Sequence, residues 1–137
     1  MAEAADVAPL ARLESRWRAL FWLAVVAGVV LALWPQPDSE SWFPQSDKVK
    51  HALSFAVLVG LGVRGGYRRW WSLIAGLLLL GGAIEVAQSF TATRSAEWLD
   101  WFADAIGISI GWIGTSIEAR WGLDRSRSSA QEQEDRR

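Results

Sequence analysis

At 137 residues the chain has the length of one domain, its composition is 51% hydrophobic with ten tryptophans, and it contains no cysteine, which excludes disulfides and thiolate chemistry. Fourteen basic against fifteen acidic side chains leave a formal charge of -1, so there is no overall electrostatic reason to expect nucleic acid as a partner. The polar residues are concentrated at the ends and in short connectors, between four apolar runs at 19–34, 49–63, 70–87 and 98–117.

Residues 1–16 are alanine-rich with mixed charge and a break at Pro9, which predicts a frayed or surface-lying helix. Arg12, Arg16 and Arg18 lead into the first apolar run, which ends in LALWPQP with bulky Trp34 and no small-x-small cleavage site. That ending predicts an uncleaved first span, not a secretory signal. A hydrocarbon core of about 30 Å needs about 20 helical residues, and the first, third and fourth runs reach that length once their tryptophan flanks are counted. The second is shorter. Its strictly apolar part is 52–63, so it spans only if 47–51 form a first turn in the headgroup region or a polar cavity; a re-entrant half-helix is the alternative.

The connector 35–47, PQPDSESWFPQSD, has three prolines and predicts a loop outside the core, with Trp42 and Phe43 dipping into the interface. Asp47 is placed as N-cap or first-turn acid of the second helix, with Lys48, Lys50 and His51 beside it. The basic, glycine-containing connector RGGYRR at 64–69 is short enough to make helices two and three antiparallel neighbours. Trp17, Trp34, Trp42, Trp70, Trp71, Trp98 and Trp121 fall near the expected helix ends, where amphipathic rings favour a membrane interface, while Trp22, Trp101 and Trp112 lie further inside. Gly107 and Gly111 form a GxxxG pair suited to close packing within the bundle. The polar tail 119–137 is expected to be solvated and disordered.

The stretch 84–111, IEVAQSFTATRSAEWLDWFADAIGISIG, organises the rest. A helical reading puts Glu85 and Gln88 on one face of the third helix, turns the chain over 90–96, and puts Asp100 and Asp104 on one face of the returning helix. An unpaired carboxylate facing hydrocarbon costs at least about 2.5 kcal/mol near the bilayer centre, so these groups should face inward and meet partners. The arginines at 12, 16, 18, 64, 68 and 69, against Lys48, Lys50 and Arg94 on the other side, predict both termini in the cytoplasm. With that orientation Asp47, Lys48, His51, Glu85, Gln88, Arg94, Asp100 and Asp104 all gather in the outer leaflet.

The text DKVKHALSFAVL at 47–58, followed by 84–111, resembles the VanZ-like family of small polytopic membrane proteins. The similarity covers about residues 20–117. It combines an Asp-Lys-x-x-His motif, a Glu-x-x-Gln motif, an arginine after a short gap, and an aspartate before a Gly-x-x-x-Gly helix. Where the family's last motif is expected to read Asp-x-x-x-Asn, this chain has Asp104. The family is named for a protein associated with teicoplanin resistance, so the resemblance implies an envelope role without naming a reaction or a substrate.

The polar cluster admits three readings. In the structural one, Arg94 pairs with Asp100 or Glu85, Lys48 with another acid, and Gln88 and His51 complete a network pinning the helices. In the functional one, a pocket opens to the periplasm. His51 serves there as general base oriented by Glu85 or Asp100, these three being the catalytic candidates, and Asp47, Lys48, Gln88, Arg94 and Asp104 contact the substrate. A divalent metal is the third; it has ligand types in Asp47, His51, Glu85, Asp100 and Asp104 but no closed motif, and Lys48 and Arg94 oppose it, so no metal or cofactor is expected. The expectation is an all-α integral membrane bundle of four transmembrane helices in a bacterial inner membrane, divided as segment 1–16, VanZ-like domain 17–118 and tail 119–137. Its partners are the bilayer and a lipid-linked or cell-wall ligand. The alternatives are a scaffold subunit with a purely structural network and a small transporter using the acids as a relay.

Overall fold

The structure, a computed structural model, describes residues 3–34, 46–91 and 98–135, with side chains over 11–34, 48–91 and 98–122 and at 131. The connector at 35–45, with Trp42 and Phe43, Arg94 in the segment 92–97, and the Asp47 side chain, for all of which the sequence sets expectations, lie outside the described residues. The described chain is all-α: α1 (Glu3–Leu33), α2 (Ser46–Arg64), α3 (Trp70–Ser89) and α4 (Trp98–Asp135).

Cross-links between helices fix their directions. Near the start of α1, Arg18 Nε donates to Gly65 O at 3.1 Å and Phe21 packs on Tyr67, so this end of α1 meets the junction of α2 and α3. Near its other end, Gln88 Nε2 of α3 donates to Ala32 O at 3.0 Å. Helices α1 and α3 therefore run in the same direction. Helices α2 and α4 run the opposite way and parallel to each other, because His51 meets Asp104 at their starts and Arg64 meets Glu118 far along both.

The sequence made α2 and α3 neighbours, and they do touch, but α2 packs most extensively against α4. Glycine is the physical reason. A Cβ on Gly107 would run into the Ala52 carbonyl oxygen, and one on Gly111 would lie 2.7 Å from Ala56 O and 2.9 Å from Val59 Cβ, so the two backbones approach where side chains are missing. The core beside this seam is Phe21, Phe55, Leu58, Val59, Leu73, Leu77 and Ile108, with Trp112 and Tyr67 packed against it. Helix α2 closes with a Schellman motif: Tyr67 N–H donates to Gly62 O, Gly66 N–H donates to Val63 O, and Gly66 takes φ 81°, a left-handed conformation that glycine adopts without strain.

Two segments differ from expectation. Residues from Glu3 onward continue into α1 without interruption, Pro9 included; a proline this close to a helix start forfeits one backbone hydrogen bond. Helix α4 runs on to Asp135, through the tail expected to be disordered. That tail holds many alanine, glutamate, glutamine and arginine residues, and a helix already nucleated in the bundle propagates readily through such formers.

Among the described residues two helical segments, Ala11–Leu33 and Trp70–Ser89, are long and apolar enough to cross a membrane. The outer surface is apolar on every helix, with Leu23 and Val26 on α1, Leu53 and Val57 on α2, Leu79 and Val86 on α3, and Phe102, Ile106, Ile110, Ile113 and Ile117 on α4 all exposed.

Candidate functional site

The opposed directions of the two helix pairs bring the ends of α1 and α3 together with the starts of α2 and α4, and the polar stripes meet at this end. His51, in the second turn of α2, lies about one turn of that helix deeper than Lys48. Asp100 and Asp104 repeat that one-turn step on α4. The two helices are parallel, so the stripes pair in register: His51 Nδ1 and Asp104 Oδ1 are 2.9 Å apart, and Lys48 Nζ is 3.6 Å from Asp100 Oδ1, an ion pair without a hydrogen bond.

Asp104 is fully buried, at 0% exposure. Its second oxygen, Oδ2, has no hydrogen-bond partner among the described residues and lies against Gly81 of α3, where a Cβ would collide with it. Glu85, one turn beyond Gly81, is buried on α3. Trp101 ties the same region together by donating from Nε1 to Leu78 O at 3.1 Å.

Of the acids that could orient His51, of which the sequence names Glu85 and Asp100 as examples, the structure places Asp104 on the ring; the step of one turn on two parallel helices, fixed by the Gly107 and Gly111 seam, selects it. Lys48 meets an acid as expected. Gln88, counted among the substrate contacts, is 2% exposed and committed to the Ala32 carbonyl, where it satisfies one of the orphan acceptors at the end of α1. Among the described residues no three His, Asp or Glu side chains converge as a metal-ligand group.

Beside His51 lies a cavity of about 380 Å³ between α1, α2 and α3, lined by Gly28, Lys50, His51, Ser54, Leu80 and Ile84 among others. Neither this cavity nor the part played by Gly81 and Gly28 was read from the sequence; the signal that bore on them was the run of small residues in otherwise bulky apolar helices. Chemically, a carboxylate accepts from Nδ1–H and holds the imidazole in one orientation, which leaves Nε2 as the nitrogen available to a ligand in the cavity. In that tautomer Nε2 accepts a hydrogen bond or a proton, and once the ring is protonated Nε2–H can donate to an anion. Comparison with protein-family models, with curated proteins and with solved structures gives no match, so the reading of this site rests on its own geometry.

Proposed function

We propose that the chain is a four-span, VanZ-like protein of a bacterial inner membrane, with both termini cytoplasmic. Its outer-leaflet site recognises the headgroup of a lipid-linked or cell-wall component. The observation that carries the site is the His51–Asp104 pair at 2.9 Å beside a cavity at one end of the bundle. Lys48 and Lys50 flank it and supply cationic charge for a phosphate or carboxylate. The motifs at 47–58 and 84–111 support the family reading, and the arginines of the opposite end support the orientation.

The helix directions support four spans. If α1 and α3 both cross, their shared direction requires the chain to return between them, and α2 makes that return. Its 19 residues reach about 28 Å, close to a hydrocarbon core of about 30 Å. The glycine seam then carries α4 to the same depth as α2. Of their charged side chains Asp100 and Asp104 are buried and Lys48 is half-buried, while Arg64, Glu118 and Arg120 are exposed toward the far ends of the two helices and Lys50 is exposed near the start of α2.

The test separates function from architecture. His51→Gln and Asp104→Asn, which keep side chains able to hydrogen-bond across the α2–α4 seam, should each abolish an envelope phenotype, read as altered susceptibility to wall-directed antibiotics in a deletion strain, while membrane abundance stays normal. Loss of abundance in both variants would favour the purely structural network, a reading that the Gln88 bond to α1 and the Lys48–Asp100 pair keep in view.

A further inference from the structure

The cavity beside His51 is continuous with the apolar exterior. Its α1 wall belongs to the less buried of the two long apolar segments, with 6% of the Ala11–Leu33 window enclosed against 28% for Trp70–Ser89. At Gly28 nothing lies within 4 Å of the position a Cβ would take, so the gap between α1 and its neighbours stays open there. Val26, Val30 and Leu31 are exposed around it.

One end of the slot is polar, and it is polar in one sense. Lys50 and His51 line it, whereas Asp100, Asp104 and Glu85 are buried and are not among its lining residues. A ligand in the slot meets apolar walls and, at one end, cationic and imidazole groups. We infer that one acyl chain of an anionic phospholipid from the surrounding bilayer occupies the slot between α1, α2 and α3, with its phosphate at Lys50 and His51. This rests on the membrane reading above and names the ligand class for its site. The volume of about 380 Å³ sits at the small end of ligand cavities, about 300–1,000 Å³, and suits one chain with the second left in the bilayer.

The full chain, reconstituted in phosphatidylcholine vesicles, can be irradiated with a minor fraction of either phosphatidylglycerol or phosphatidylcholine carrying a diazirine near the end of one acyl chain. Peptide mapping should then find label at Val25, Val29 and Leu80, several-fold more from the phosphatidylglycerol probe. Gly28→Trp, which fills the slot, should abolish that label while label on Ile106, Ile110 and Ile113 persists; Gly28→Leu is the milder companion. Lys50→Gln should erase the preference for the anionic probe. Equal yields from the two probes, or slot label that survives Gly28→Trp, would overturn the inference. Absence of label on Ile106, Ile110 and Ile113 in the unaltered protein would overturn the four-span reading, and the slot occupant with it.

Discussion

Among the described residues Asp104 has one hydrogen-bond partner for two oxygens, no exposure, and Gly81 against its second oxygen. Removing one member of a buried pair costs about 3–5 kcal/mol, because the other is left charged or polar without compensation. His51→Ala should therefore destabilise strongly, and adding Asp104→Asn to it, which replaces the carboxylate by a neutral amide of the same shape, should recover part of the loss. Thermal unfolding in detergent of the single and double variants reads this directly. A double variant no more stable than His51→Ala would show that the charge on Asp104 is not what His51 compensates. The identities of these residues were legible as polar groups too costly to leave facing lipid. Their pairing was not, because choosing among Glu85, Asp100 and Asp104 requires the register between α2 and α4, which no local pattern encodes.

That register belongs to the element scale, and it is set by two glycines. An added methyl at Gly107 or Gly111 meets α2 backbone, which cannot yield as a side chain can, so Gly107→Ala and Gly111→Ala should each cost about 1–3 kcal/mol from overpacking. Gly76 and Gly114 have nothing within 4 Å of the added atom, and alanine there should be neutral or mildly stabilising, given the higher helix propensity of alanine. Midpoints measured for the four variants under one set of conditions decide the matter: equal losses at all four would remove the seam as the cause. Helix existence was largely legible, since four apolar runs separated by proline, glycine and charge map onto α1 to α4. The lengths were not. The tail from 119 onward has too little apolar content to pack, but packing is not required of a helix that extends one already formed, and α4 runs through it.

For the whole molecule, the meeting of three distant polar patches at one end was legible from the alternation of helices alone, because helices that turn back and forth bring the end of each odd helix beside the start of the next even one. The cavity was not legible, since it is a property of how α1 leans on α2 and α3. On the proposed four-span reading the alternation also dictates sidedness. Phe90 and Trp98, 85% and 82% exposed, sit where α3 ends and α4 begins; Arg68 and Trp121 sit at the opposite end, beside Arg18 and Arg64. The chain has no cysteine, so single-cysteine variants report without background. In intact cells of a host with a permeabilised outer membrane, a membrane-impermeant maleimide should label Phe90→Cys and Trp98→Cys, and should reach Arg68→Cys and Trp121→Cys after the inner membrane is opened. Reversal of the two sets would invert the orientation while keeping the bundle. Labelling of Phe90→Cys and Trp98→Cys from opposite sides would break it, since the paired stripes on α2 and α4 and the buried acid on α3 could not then share one end.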